Sequence, residues 1–329
     1  MKWKKIRKRM IIIILLITIF IYLNNSSDLT KARHSEPLLL AHRGMAQSFS
    51  MVGIEGDTCT AEHIDEPVHP YLENTIPSMK AAFTAGANVV ELDVRPTKDG
   101  QLAVFHDWTL DCRTDATGEP KLYTMAELKQ VDIGYGYTAD GGKTYPFRGK
   151  GVGLMPSLTE VLTHFPEGQF LIHIKSNEAE EGVQLAELIA HLPVQQQRQL
   201  TVYGGDAPIQ AFKTVLPKIP VMSKATLKSC LLPYIGLGWT GYVPKACHHT
   251  QIHVPENIAP WLWGWPNKFL NRMDGADTRV ILVAGNGKWS EGFDSLQDLE
   301  RLPTSYTGGI WTNRIDLIAP IVKESRTNE

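Results

Sequence analysis

Cysteine is scarce in this 329-residue chain: there are four, and no two stand in a C-x-x-C pair. That argues against a zinc ribbon or a dithiol redox motif. No G-x-G-x-x-G follows the first apolar, β-rich run, which argues against a dinucleotide-binding sheet. Internal repeats and low-complexity tracts are absent. Basic residues are not in excess either. The net charge is −2 only because residues 1–9 hold six of the 33 lysines and arginines; without them, 27 basic residues face 35 acidic ones, a balance of −8. Such a body has no basic footprint for nucleic acid. The longest apolar run, Met10–Leu23, has 14 residues, fewer than the roughly 20 of a comfortable membrane span.

That run nevertheless has a membrane-targeting context. Lys2, Lys4, Lys5, Arg7, Lys8 and Arg9 precede "MIIIILLITIFIYL", and polar "NNSSD" follows it, which places the basic end in the cytoplasm. The expectation is an exported protein of the cell envelope. The segment is either a cleaved signal, with "LTKA" ending at Ala32 as the candidate site, or a single retained anchor that makes the membrane a partner. Export permits disulfides. Cys59, Cys112, Cys230 and Cys247 allow three pairings; proximity in the chain favours Cys230–Cys247, leaving Cys59–Cys112. Residues 1–36 then form a basic end, apolar segment and linker, 37–322 a globular domain, and 323–329 a tail.

From "PLLLAHRG" onward, short β-rich runs alternate with helical patterns. Strands are predicted at 37–42, 88–94, 101–106, 169–175, 199–203, 219–222, 251–254, 279–284 and 308–312. Helices are predicted at 75–86, 124–130, 157–164, 178–191, 207–215 and 294–301. Ser157 and Glu160 have the spacing of a capping box. Strands alternating with helices argue for a parallel sheet, and nine candidates suit an α/β fold of the (β/α)8 TIM-barrel type with one extra strand. An open doubly wound sheet is the alternative. Residues 44–72 and 107–156 form long insertions after strands 1 and 3, and in a barrel both rise from the face where active sites sit.

Polar side chains gather near the ends of the predicted strands. "LLLAHRG" ends in His42 and Arg43, "VVELDV" carries Glu91 and Asp93, "LAVFHD" ends in His106, and "FLIHIKSN" carries His173 and Lys175. Residues i and i+2 of a strand share a face, so Glu91 lies beside Asp93 and His173 beside Lys175. Two carboxylates on one inward face repel unless protonated or bridged by a cation, and oxygen ligands of this kind suit Mg²⁺ or Ca²⁺. A cation, an arginine and a lysine can neutralise phosphate oxygens while two histidines move protons. Each residue has a plainer reading as a hydrogen-bonded strand end or solvated edge; their joint occurrence on four strands favours a site.

The strings "AHRG", "LENT", "VVELDVRPTKDGQLAVFHD" and "IK", with "TLDCRTDATG", "MPSLTEVL" and "GIWTNRIDLIAP", resemble the glycerophosphodiester phosphodiesterase family over most of residues 37–320. The resemblance implies a (β/α)8 barrel that hydrolyses glycerophosphodiesters to glycerol 3-phosphate and an alcohol with a bound divalent cation. It implies that His42 and His106 are the acid/base pair, that Arg43 and Lys175 bind the phosphate, and that Glu73, Glu91 and Asp93 serve the metal. It also implies a carboxylate where this chain has His173, and "TNRID" departs from the usual Thr-Asp-Arg-Pro, so no role is carried to that segment. Lysophospholipase D-type action on lysolipids and a non-catalytic phosphate- or lipid-binding barrel are the alternatives. The aromatic stretch with Trp261, Trp263 and Trp265 is open to two readings, internal packing or a lipid-contacting rim.

Overall fold

The computed structural model describes every residue except 1, 35, 51–52, 56–57, 288–290, 304–305 and 328–329. Strands β1 (Leu38–Ala41), β2 (Val89–Pro96), β3 (Leu102–Val104), β4 (Phe170–Ile174), β5 (Leu200–Gly204), β6 (Val221–Met222), β7 (Thr250–Pro255), β8 (Thr278–Val283) and β9 (Gly309–Thr312) form one sheet. Its order is β6-β5-β4-β2-β1-β9-β8-β7, and the pairings along this path are parallel. The end strands β6 and β7 approach each other, and the Thr250 hydroxyl donates to the Val221 carbonyl across the gap. The result is the expected eight-stranded barrel, nearly closed.

β3 is the extra strand. It was expected as a barrel stave but pairs antiparallel with β2, Val94 opposite Val104 and Pro96 opposite Leu102. Its connection to β2 is too short for a parallel crossover, which needs a dozen or more residues, so the chain makes a hairpin. β3 therefore lies outside the barrel path, and the second long insertion follows this hairpin.

The strand period sorts side chains into two cores. Leu40, Val89, Leu171, Ile281, Val283 and Trp311 point inward and fill the lower barrel. The opposite strand faces meet the surrounding helices in the main core, with Leu92, Ile172, Val202 and Ile310 among its buried members. The predicted capping box is present, with the Ser157 hydroxyl accepting from the Glu160 amide. Helices Lys224–Leu237 and Asn267–Asp274 were not anticipated; the former contains Pro233 and lacks a clear apolar stripe. The last helix, Ile315–Thr327, runs beyond the expected domain end at 322.

The two insertions share a third core. Ala61, Ile64 and Leu72 from the first pack with Leu110, Met125, Leu128, Tyr137 and Phe147 from the second, over Ala103 and Phe105 of the hairpin. A Cys59–Cys112 disulfide joins them, and Cys230–Cys247 joins the helix Lys224–Leu237 to the approach of β7.

Residues Lys2–Asn25 are helical, with the apolar side chains of its central run largely exposed. Its end is docked on the barrel: Asn24 and Asn25 donate to the Trp239 carbonyl, and the Arg272 guanidinium donates to the Asn24 carbonyl. Among the described residues no helix is long and apolar enough to cross a membrane. The retained-span expectation is therefore not supported, since 14 apolar residues rise only about 21 Å against a hydrocarbon core of about 30 Å. The tryptophans divide. Trp263 donates from Nε1 to the Ile235 carbonyl and Trp265 packs on Phe269 and Tyr306, whereas Trp261 is 77% exposed.

The two disulfides close loops of 53 and 17 residues. Replacing Cys59 and Cys112 together by alanine is expected to cost about 4 kcal/mol, and replacing Cys230 and Cys247 about 3 kcal/mol, from unfolded-chain entropy. Urea unfolding of each double variant checks this; a midpoint equal to that of the parent chain would refute the corresponding bridge.

Candidate active site

The inward face of β2 reads Val89, Glu91, Asp93: apolar within the barrel, acidic toward its carboxyl-terminal mouth. Both carboxylates are fully buried. β4 adds His173 directly opposite Asp93, with Lys175 following. β1 delivers His42 and Arg43, the hairpin delivers His106, and β5 delivers Tyr203. The structure thus brings His42, Arg43, Glu73, Glu91, Asp93, His106, His173 and Lys175 to one end of the barrel.

Arg43 is at the middle of this group, and its backbone is shaped for that place. Its φ is 57° and that of Asn74 is 58°, a left-handed conformation that non-glycine residues adopt rarely and mostly where surroundings enforce it. The Asn74 amide donates to the Arg43 carbonyl. Gly44 follows at φ 80°, where a Cβ would meet the Ser78 hydroxyl at 2.6 Å, so the glycine of "AHRG" permits close approach of the next helix. The Arg43 guanidinium contacts Glu73 Oε1 at 3.0 Å and Asp93 Oδ2 at 3.5 Å, and its Nε donates to His42 Nε2 at 3.1 Å.

The two principal histidines are oriented by different partners. His42 Nδ1 lies 2.6 Å from Asn313 Oδ1. The Asn313 amide nitrogen donates to Asp294 Oδ2 at 2.7 Å, so its oxygen faces the imidazole and accepts from Nδ1–H. That leaves Nε2 as the acceptor. His106 Nδ1 lies 2.6 Å from Asp107 Oδ1, and Arg113 grips that carboxylate through Nε at 2.6 Å and Nη2 at 3.1 Å. Burial, reinforced by the Arg43 charge, holds His42 well below the usual histidine range and lowers His106 to about 4.

Glu73 does not join the other two carboxylates. Arg43 and Arg113 hold it at 3.0 and 2.9 Å; burial pushes its carboxyl up, but these two cations outweigh that and bring it below its ordinary value. In this arrangement Glu73 is salt-bridged to two arginines. Among the described residues, the group able to hold a metal ion is Glu91, Asp93 and His173, one donor atom from each lying within 4.8 Å of the others. Burial and the neighbouring Asp93 charge push Glu91 up to about 8. Burial opposes ionisation of Asp93 too, but Lys175 at 3.7 Å, with His106, His173 and Arg43, keeps it well below the carboxylate range. A divalent cation between two buried carboxylates would relieve this repulsion, so the donor set fits one.

Several partners in the site had no assigned role in the sequence reading: Asp107, Arg113, Asn74, Tyr203, Asn313 and Asp294. The "HD" step at 106–107 carried a usable signal, an acid beside a histidine. The others are distant in sequence from what they orient. A cavity of about 860 Å³ opens at the opposite, amino-terminal end of the barrel between Leu38, Thr250, Arg279 and Gly309. It contains none of these side chains, so convergent charge rather than cavity size locates the site.

Residues 42–203 match the family described as the Glycerophosphoryl diester phosphodiesterase family. A glycerophosphodiester phosphodiesterase of Caldanaerobacter subterraneus is 40% identical over 103 residues, 31% of this chain and 39% of that protein. One from Bacillus subtilis is 38% identical over 124 residues, 36% of this chain and 41% of that protein. The matched region therefore spans about two fifths of the length of these relatives. A lysophospholipase D of Rattus norvegicus is 30% identical over 57% of this chain and 58% of its own length. Among solved structures, a glycerophosphodiester phosphodiesterase from Agrobacterium tumefaciens superposes with a TM-score of 0.59 at 22% identity, covering 88% of this chain and 99% of that one. An Oleispira antarctica phosphodiesterase, solved in complex with the product sn-glycerol-3-phosphate, superposes with a TM-score of 0.54 at 18% identity, covering 89% and 98%. With the motifs in order on a matching barrel, residues 42–203 of this chain are similar to the glycerophosphoryl diester phosphodiesterase family.

Proposed function

We propose that this chain is a phosphoric diester hydrolase that splits glycerophosphodiesters into glycerol 3-phosphate and an alcohol. The observation that carries this reading is the meeting of two separately oriented histidines, one central arginine and a cation-ready carboxylate pair at one barrel mouth. Arg43 and Lys175 bind the phosphate oxygens. Glu91 and Asp93 would hold the divalent cation, as oxygen donors suited to Mg²⁺ and Ca²⁺. When bound, that cation supplies positive charge against the phosphoryl oxygens.

Once Arg43 turns its Nε from His42 Nε2 to the phosphate, this acceptor nitrogen takes a proton from the attacking water as its oxygen bonds to phosphorus. The bond from phosphorus to the leaving alcohol breaks, and His106 supplies the proton that the alcohol oxygen needs. Asp107 favours this role because a carboxylate at Nδ1 stabilises the imidazolium, and a bound phosphodiester anion shifts the same equilibrium further. The acid and base then exchange protons through solvent to reset the site.

A second reading keeps this chemistry on lysolipids, supported by the similarity to a lysophospholipase D and by exposed Trp261. Location in the cell envelope is proposed with both readings; the basic start and apolar run and the two disulfides support it.

Release of glycerol 3-phosphate from glycerophosphocholine, and of choline from lysophosphatidylcholine, is to be measured with Mg²⁺ or Ca²⁺ and with EDTA. Turnover of the first substrate that EDTA abolishes is expected; no release from either substrate would leave only a phosphate-binding barrel. His42→Ala and His106→Ala should each lower kcat by about 10²–10⁴-fold with an unchanged circular-dichroism spectrum, and near-full activity in either variant would end the acid/base assignment. Arg113→Met strands the Glu73 and Asp107 carboxylates in a buried place and should cost about 3–5 kcal/mol of stability, read by urea denaturation.

A further inference from the structure

The third donor of the cation site is an imidazole nitrogen, and its placement has chemical consequences. His173 Nδ1 lies 2.9 Å from Asp93 Oδ1 and 3.9 Å from Glu91 Oε1, so this atom, not Nε2, faces the two carboxylates. The ring is held there. It stacks on Tyr203 with centroids 4.1 Å apart and planes 16° from parallel, and the Tyr203 hydroxyl donates to Glu91 Oε1 at 2.6 Å. One tyrosine thus orients two of the three donors. The outer oxygens are occupied elsewhere: Asp93 Oδ2 accepts from the Asn74 side chain at 3.0 Å, and Glu91 Oε2 accepts from the Arg43 amide at 3.2 Å. Asp93 Oδ1, Glu91 Oε1 and His173 Nδ1 are left turned toward one another.

We propose that His173 binds the cation through Nδ1, so that the site takes a first-row transition ion such as Mn²⁺ or Zn²⁺ in preference to Ca²⁺. Carboxylate oxygens alone accept Ca²⁺ and Mg²⁺ readily, whereas a nitrogen donor gains most with ions of the transition series. Three donors drawn from two adjacent strands also make a compact set, while Ca²⁺ seeks six to eight oxygens. Binding requires the ring to carry its proton on Nε2, in place of the Nδ1–H that now meets Asp93. Tyr203 acts as a positioning residue, fixing the ring by stacking and Glu91 by its hydrogen bond.

This inference rests on the cation site of the phosphodiesterase reading, but substrate is not needed to test it. The full chain, stripped with chelator, is titrated with Mn²⁺, Zn²⁺ and Ca²⁺ by calorimetry, and the Mn²⁺-loaded protein is examined by pulsed electron paramagnetic resonance for ¹⁴N coupling. The expectation is binding of Mn²⁺ and Zn²⁺ at least about tenfold tighter than Ca²⁺, with an imidazole ¹⁴N signal. The signal should vanish in His173→Glu and His173→Gln and persist in His42→Asn and in His106→Asn, which excludes the two neighbouring imidazoles as its source. His173→Glu should also narrow the gap to Ca²⁺, and Tyr203→Phe should weaken Mn²⁺ by about tenfold. Bound Mn²⁺ without ¹⁴N coupling, Ca²⁺ binding as tight as Mn²⁺, or no cation binding at all would each overturn the proposal; the parent chain alone reports these three, even if a variant fails to fold. A ¹⁴N signal in a protein that cleaves no diester would uphold the metal assignment and overturn the functional one.

Discussion

Two carboxylates on one buried strand face are the constraint around which this barrel mouth is organised. Glu91 and Asp93 stand two residues apart on β2, so the strand period sends both inward, where neither is solvated. An uncompensated buried charge costs several kcal/mol, and the surrounding structure answers it from every side. β1 brings Arg43, β4 brings Lys175 and His173, β5 brings the Tyr203 hydroxyl, and the turn before the first barrel helix brings Asn74. These partners hold Asp93 well below the carboxylate range, while burial and the Asp93 charge raise Glu91 and burial, with Arg43, lowers both histidines. The same features that stabilise the carboxylates underlie the proposed binding of an anionic diester and a cation.

Arg113 extends this arrangement into the insertions. It contacts Asp107, Glu73, the Tyr137 hydroxyl and Thr60 at once, and through the first two it fixes the surroundings of His106 and Arg43. It follows Cys112 directly in the chain, so the Cys59–Cys112 bridge anchors the guanidinium as well as the two loops. The small core shared by the insertions thereby has a role at the site, namely to hold one buried cation between two acids.

Much of this was legible in the sequence because it depends on local rules. Period-2 alternation marked the strands, turn and capping residues marked several helices, and strand-end histidines marked His42 and His106. The resemblance of "AHRG" and "VVELDVRPTKDGQLAVFHD" to a known family added roles to the same residues. What misled was also local. The run 101–106 reads as a strand whether it pairs parallel or antiparallel, and only its short connection to β2 indicates the hairpin. The ion pair of Glu73 with Arg113 was hidden as well, because the two lie 40 residues apart in the chain. Asn313 drew no role because its segment departs from the family pattern, although it is the residue that orients His42.

By itself, then, the sequence determined which residues lie on which strand face, the alternation that makes a barrel, and the set of side chains at its carboxyl-terminal end, since all three follow from backbone geometry and periodicity. Only the tertiary structure decided the partnerships within that set: Glu73 with two arginines, His42 with Asn313, His106 with Asp107, and His173 with Asp93 over Tyr203. These pairings join segments up to 271 residues apart, and electrostatic and hydrogen-bond energies depend on distances of a few ångströms in space, which separation along a chain does not encode.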